Sequence, residues 1–155
     1  MRRWLALSAL IIALDQATKA WITSAFKLNE SLAVTPFLDL VWVYNAGAAF
    51  SFLAGASGWQ RWFFVALALG VSAWIVAMLR QHAQERLLAA ALALILGGAL
   101  GNVVDRMTHG AVVDFLDFHY AGYHFPAFNV ADSAISVGVV LMLWQSLGKR
   151  QPQSS

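Results

Sequence analysis

The chain has 155 residues, enough for one domain, and its composition is far from that of a soluble globular protein. Hydrophobic residues make up 60%, charged residues only 12%, and the mean hydropathy is +0.65. The net charge is +2, but the ten Lys and Arg residues form no basic patch, so we expect no nucleic-acid partner. The absence of Cys excludes disulfides, thiolate metal ligands and a cysteine nucleophile. This composition predicts an integral membrane protein.

The N-terminus has the basic-then-apolar pattern of a signal peptide, with Arg2 and Arg3 before an apolar stretch. That stretch contains Asp15 and Lys19 and no convincing cleavage site, so we interpret it as a retained first membrane span. Asp15 and Lys19 are four residues apart and share one helix face, where they can neutralise each other. The pair is either a structural ion pair or a device that orients the substrate or an outer sheet.

Four apolar segments are each close to the ~20 residues that a helix needs to cross a membrane. They comprise residues 4–26, 62–79, 87–104 and 130–147. Three clusters of basic residues at the ends of these segments fall on one side of a four-span topology, namely Arg2 and Arg3, Arg80 and Arg86, and Lys149 and Arg150. The positive-inside rule makes that side cytoplasmic, with both termini there. All acidic residues except Glu85 lie in spans or on the outer side, so we expect the chemistry near the outer face.

Two outer segments, residues 27–61 and 105–129, connect the spans. Residues 37–44 are rich in strand formers and precede the turn signal Asn45-Ala46-Gly47. This pattern predicts a small antiparallel sheet on the membrane surface, to which the second segment adds a short strand through Val112, Val113 and Phe115. An aromatic belt at the interface is expected from Trp42, Trp59, Trp62, Phe63 and Phe64. The polar tail, residues 151–155, is predicted to be disordered.

The fold class is therefore predicted as membrane all-α with a small β addition. Four transmembrane helices and an outer-face sheet form a single membrane-embedded domain over residues 1–155. In the third span the small residues of Gly97-Gly98-Ala99-Leu100-Gly101 predict close contact with neighbouring helices.

Polar residues gather at the outer end of the third span, where Asn102, Asp105 and Arg106 lie within about one turn. Asp105 and Arg106 are adjacent, so they point in different directions and each needs another partner. Arg106 is well placed to meet Asp114, Asp132 or a substrate carbonyl.

Two aspartates stand at the predicted membrane boundary with little else reactive nearby. Asp114 lies in an apolar strand, and Asp132 lies at the start of the last span. A carboxylate is expensive at this depth, and two brought together can share a proton, as in an aspartic protease. Helix capping by Asn129 and Asp132 is the alternative, although capping does not explain an aspartate at position 114.

Other chemistries have weaker support. Ser133 has no Lys or His at a spacing that would activate it as a nucleophile. His109, His119, His124 and Asp117 match no metal-binding motif, so we expect neither a metal nor another cofactor. The first and third spans do not superpose as repeats, which weakens an inverted-repeat transporter.

Five motifs occur in order along nearly the whole chain. They are Asp15-Gln16-Ala17-Thr18-Lys19, Asn45-Ala46-Gly47-Ala48-Ala49-Phe50, Gly97-Gly98-Ala99-Leu100-Gly101-Asn102-Val103-Val104-Asp105-Arg106, Val112-Val113-Asp114-Phe115 and Phe128-Asn129-Val130-Ala131-Asp132-Ser133. In these motifs the chain resembles the bacterial lipoprotein signal peptidases, also called signal peptidase II.

The resemblance implies an aspartyl endopeptidase of the bacterial inner membrane, with its site near the periplasmic face. Its partners would be membrane lipids and diacylglyceryl-modified prolipoproteins, cut on the amino side of the lipid-modified cysteine. Asp114 and Asp132 would be catalytic. Supporting or substrate-binding roles are expected for Asp15, Lys19, Asn45, Gly47, Asn102, Asp105, Arg106 and Asn129. A proton- or ion-coupled transporter and a membrane-anchored assembly protein remain the alternatives.

Overall fold

The computed structural model describes residues 1–47 and 58–148, and four long helices dominate it. These helices are α1 (Arg2–Ala25), α2 (Trp59–His82), α3 (Arg86–Thr108) and α4 (Val130–Gly148). Each is long and apolar enough to cross a membrane. The predicted tail, the basic residues Lys149 and Arg150, and the motif residues 48–50 lie outside the described residues.

Most helix ends lie one to four residues beyond the apolar segments that predicted them. α1 ends before Phe26, which adopts extended backbone, whereas α3 continues four residues past position 104. Asp105 and Arg106 therefore belong to the last turns of a helix and not to an outer loop. The helix geometry therefore fixes the directions in which their side chains point.

α3 is the central helix and packs against the other three helices. Its small residues make this possible, as predicted. A Cβ atom added at Gly97 would collide with the carbonyl oxygen of Ser8 in α1, and one added at Gly98 would collide with that of Ala131 in α4. Glycine at these positions lets helix backbones approach closely without a side chain between them.

A four-stranded antiparallel sheet caps one end of the bundle, which we call the outer end. Its strands are β1 (Ser31–Thr35), β2 (Leu38–Asn45), β3 (Val112–Tyr120) and β4 (Tyr123–His124), in that spatial order. β2 and β3 were predicted, although β3 is longer than expected. β1 and β4 were not, because β1 is almost fully exposed and lacks a buried alternating face, and β4 has only two residues. The predicted fold class is confirmed.

The opposite end, which we call the basic end, carries Arg80 and Arg86 around the α2–α3 turn. Here the helices are held by an apolar cluster of buried side chains, Ile75, Leu79, Ala89, Leu92 and Leu96. The indole Nε1 of Trp4 donates to the carbonyl oxygen of Ala83 at 2.9 Å. This hydrogen bond ties α1 to the turn.

The aromatic belt is only partly as predicted. Trp59, Trp62 and Phe63 at the start of α2 are about half exposed, as an interface belt requires. Trp42 and Phe64 are more buried and face the protein. Phe64 lies under the guanidinium of Arg106, with 5.2 Å between the Cζ atom and the ring centroid.

Candidate active site

Asp114 sits in the buried half of β3 and is only 1% exposed. Both of its oxygens accept hydrogen bonds from amides. Asn129 Nδ2 donates to Oδ1 at 2.7 Å, and Asn45 Nδ2 donates to Oδ2 at 3.0 Å. The strand register sets up the second bond, because Val43 of β2 lies opposite Asp114 and Asn45 follows two residues later.

Burial, with a smaller contribution from the nearby charge of Asp132, raises the pKa of Asp114 to about 6 against the opposing effect of the two amide donors. A carboxyl with this pKa holds its proton to a higher pH than an exposed aspartate does. It can therefore take part in proton exchange near neutral pH.

Asp132 lies in the first turn of α4. Its Oδ1 accepts a hydrogen bond from Asn102 Nδ2 at 2.8 Å. Its backbone N–H donates to Asn129 Oδ1 at 2.9 Å, which is the N-cap contact expected from the sequence. Capping is therefore present, but it occupies only one atom of Asn129.

Asn129 connects the two aspartates. It is fully buried, and while its Oδ1 caps α4, its Nδ2 contacts Asp114 Oδ1, Val113 O at 3.2 Å and Asn102 Oδ1 at 3.3 Å. Asn102 in turn binds Asp132. Two amide side chains thus place both carboxylates in one hydrogen-bond network although they come from different elements.

Lys19 lies at the centre of a buried ion cluster behind these amides. Its Nζ atom contacts Asp15 Oδ2 at 2.8 Å, Asp105 Oδ2 at 2.8 Å and Asn102 Oδ1 at 3.1 Å. An ammonium has three hydrogens to donate, and here it has three acceptors. The pair predicted between Asp15 and Lys19 is therefore part of a larger cluster that joins α1 to α3.

The two carboxylates of this cluster also hold backbone groups. Asp15 Oδ1 accepts from the N–H of Ala131 at 2.9 Å, and Asp105 Oδ2 accepts from the N–H of Val113 at 2.9 Å. Ala131 directly precedes one aspartate of the candidate site, and Val113 directly precedes the other. Lys19 is thereby linked through Asp15 to the backbone beside Asp132, and through Asp105 to the backbone beside Asp114.

Gln16 is a site residue that the sequence analysis missed. Its Nε2 donates to Asp105 Oδ1 at 2.8 Å and to Gly101 O at 3.2 Å. The available signal was an amide side chain next to Asp15 inside an apolar span. Its partner is 89 positions away, so no local pattern identifies the contact.

Asp105 and Arg106 point in different directions and have separate partners, as predicted. Arg106 donates from Nη1 to the carbonyl oxygen of Asn102 at 3.3 Å and lies over Phe64. Within residues 1–47 and 58–148 no carboxylate lies within 4.0 Å of its guanidinium, so the ion pair considered with Asp114 or Asp132 is not formed. Its charge stays available at the edge of the site.

Gly47 follows the end of β2, where its φ of +107° favours glycine. Its N–H donates to Asn45 Oδ1 at 2.8 Å, and an added Cβ would come within 2.7 Å of the Phe64 ring. Gly47 therefore allows Asn45 to turn its amide toward Asp114 while Phe64 packs behind it.

The remaining candidates lie apart from this network or serve local structure. Ser133 donates its hydroxyl to the carbonyl oxygen of Asn129 at 2.9 Å. His119 contacts Asp39, and His124 contacts Asp117, on the sheet. In the described part of the chain no three His, Asp or Glu side chains are grouped as metal ligands.

Comparison with known proteins gives a consistent result. The family model described as Signal peptidase (SPase) II matches residues 7–148. The chain is 57% identical over 156 residues to the lipoprotein signal peptidase of Azoarcus sp. (strain BH72), covering 99% of this chain and 89% of that protein. It is 54% identical over 147 residues to that of Janthinobacterium sp. (strain Marseille), with 95% and 89% covered.

A solved structure has the same fold. It is titled "Bacterial membrane enzyme structure by the in meso method at 1.9 A resolution" and superposes with a TM-score of 0.85 at 32% identity. The match covers 95% of this chain and 94% of the other.

Proposed function

The chain belongs to the signal peptidase II family, a family of proteases, and we propose that it is an aspartic endopeptidase with Asp114 and Asp132 as its catalytic pair. It is a multi-pass membrane protein and acts as a single membrane-embedded domain. Its substrates are prolipoproteins whose cysteine already carries a diacylglyceryl group. The comparisons give no support to an ion-coupled transporter.

The observation that carries the proposal is the shared network around the two carboxylates. Asn129 contacts one aspartate with its nitrogen and the backbone of the other with its oxygen. A purely structural cap would need only the second contact. Two neighbouring carboxylates in one hydrogen-bond network favour a state in which one is ionised and the other protonated.

The reaction follows from that shared proton. The ionised carboxylate takes a proton from a water molecule while the water oxygen attacks the scissile carbonyl carbon. The protonated carboxyl gives its proton to the carbonyl oxygen, which yields a tetrahedral intermediate. Collapse breaks the C–N bond, and the leaving amine takes a proton from the pair. No covalent bond forms between enzyme and substrate.

Arg106 is the best placed group to stabilise substrate charge. The described part of the chain offers it no ion-pair partner, and it lies on the same helix as Asn102, one turn further on. A guanidinium can bind a carbonyl oxygen as negative charge develops there. Asn102 and Asn129 act differently, because their amides already position the aspartates.

The Lys19 cluster serves as a positioning device. It holds the backbone beside each aspartate through Asp15 and Asp105, so the spacing of the catalytic pair depends on one buried cation. Lys19 does not touch the substrate in this mechanism. It acts through the carboxylates.

The location of the pair determines how the substrate arrives. The aspartates lie at the outer end of helices whose outward faces are apolar, and Arg2, Arg3, Arg80 and Arg86 lie at the other end, which we assign to the cytoplasm. A substrate already in the bilayer reaches such a site laterally. Its lipid buries methylenes at ~0.8 kcal/mol each, which fixes the depth of the scissile bond.

Substitution of the aspartates tests the catalytic assignment. Asp114→Asn and Asp132→Asn should each reduce turnover of a lipidated prolipoprotein peptide by a factor of at least about 100, because amides cannot exchange the proton. Asp117→Asn is the matched control, since that aspartate contacts His124 on the sheet. Cleavage by either of the first two variants at the rate of the control would refute the assignment.

Substrate lipidation tests the substrate class separately. Two peptides of identical sequence, one with a diacylglyceryl cysteine and one with a free cysteine, are compared in the same detergent. The lipidated peptide should have the much larger kcat/KM. Equal values would show that the lipid is not a recognition element, even if both aspartates prove essential.

A further inference from the structure

A groove between α1 and α2 has no role in the proposed reaction. Both helices pack on α3 but hardly touch each other, which leaves a space of about 540 Å³ open to the side of the bundle. Its floor is formed by Leu96 and Leu100 of α3. Its walls are mostly small or apolar and consist of Leu5, Ser8, Ala9, Ile12, Ser72, Ala73, Val76 and Ala77.

The groove has one charged residue, Arg80, at its basic end. Among the residues that the structure describes, no acidic side chain lies within 4.0 Å of the Arg80 guanidinium. The acidic residue closest in sequence, Glu85, already contacts His82 and Gln145. An apolar groove that ends at an exposed, unpaired guanidinium matches the chemistry of an anionic amphiphile.

The occupant is a lipid and not another helix, because the basic end of the groove is closed. Trp4 and Arg3 both contact the carbonyl oxygen of Ala83, at 2.9 and 3.5 Å, and join α1 to the α2–α3 turn. A transmembrane helix would have to pass this point to reach water. An acyl chain enters from the side and ends inside the groove.

We propose that the α1–α2 groove binds one anionic phospholipid from the leaflet at the basic end. Arg80 contacts its phosphate, and one acyl chain lies along Leu96 and Leu100. This site is separate from the aspartates, which lie at the outer end. It does not depend on the proposed catalytic function.

Native mass spectrometry of the full chain tests the proposal with phosphatidylglycerol and phosphatidylethanolamine of identical acyl chains. The wild type should retain one phosphatidylglycerol in preference to phosphatidylethanolamine. Arg80→Gln should weaken that retention about fivefold, the effect of one surface cation on an anionic lipid. Arg2→Gln, an exposed arginine at the same end, is the matched control and should not change it.

A second pair of variants tests the groove itself. Ala73→Leu combined with Ala77→Leu fills it and should abolish retention of both lipids, whereas Ala66→Leu on the exposed part of α2 outside the groove should not. Equal retention of the two lipids by the wild type, or equal effects of Arg80→Gln and Arg2→Gln, would overturn the proposal. A dimer mass that disappears in the filled variant would also overturn it, since a second copy would then occupy the groove.

Discussion

The two ends of the helical bundle are held together by different forces. At the basic end, Ile75, Leu79 and Leu92 pack in an apolar cluster. At the outer end, Lys19 and its acceptors join α1, α3 and the start of α4 through buried charges and amides. The same central helix contributes to both.

This difference indicates that one end of the bundle mainly stabilises the fold, whereas the other mainly positions the site residues. Apolar packing is non-directional and tolerates small shifts of a side chain. Buried ion pairs add little net stability, but their hydrogen bonds fix atoms in place, and loss of one partner leaves a costly unpaired charge. The polar end therefore sets the positions of Asp114 and Asp132, while the apolar end holds the helices together.

Of the substitutions that test this difference between the two ends, Lys19→Met should have the largest effect on stability and activity. It leaves Asp15 and Asp105 buried without their cation, which costs about 3–5 kcal/mol of stability. We expect a large fall in Tm and a lower kcat per folded molecule, because the backbone beside both aspartates is no longer held. Because the charge of Lys19 holds the pKa of Asp114 down, the alkaline limit of activity should also move to higher pH.

Lys27→Met is the control for that variant, since Lys27 is exposed just after α1. It should leave both Tm and kcat close to the wild-type values. A Lys19→Met enzyme with wild-type kcat and an unchanged pH profile would show that the cluster does not position the aspartates.

Leu92→Ala should have a smaller effect than Lys19→Met, and it should lower stability without lowering activity. It removes buried methylenes at the basic end and should lower stability by about 2 kcal/mol or more, with kcat/KM unchanged per folded molecule. Leu69→Ala, at a half-exposed position on α2, should change Tm much less. If Leu92→Ala lowered kcat as strongly as Lys19→Met, the two ends would not be functionally separate.

Sequence alone predicted the helices well because apolar segments of membrane-spanning length are a strong signal. It also predicted that Asp105 and Arg106 need separate partners, since adjacency on a helix decides direction. It did not identify those partners. Lys19 meets Asp105, and Asp15 meets the backbone of a residue 116 positions away, and no periodicity encodes such pairs. Gln16 was missed for the same reason.

β1 shows a different limit of sequence analysis. Its residues are exposed, so no alternation of buried and exposed positions marks it as a strand. It exists because it pairs with β2, whose opposite edge pairs with β3. The two aspartates were easier to single out from the sequence than this strand, because aspartates in apolar surroundings are rare and each needs an explanation.

The central claim is that Asp114 and Asp132 share one catalytic proton, and the pH dependence of kcat/KM tests it most directly. The raised pKa of Asp114, about 6, means that the pair keeps its proton up to that pH and loses it above, so activity on a lipidated peptide should decline on the alkaline side from near pH 6. Asn45→Ala removes a donor that favours the ionised form and should move this decline to higher pH. A wild-type rate that keeps rising to pH 9, or an identical profile for Asn45→Ala, would contradict the account.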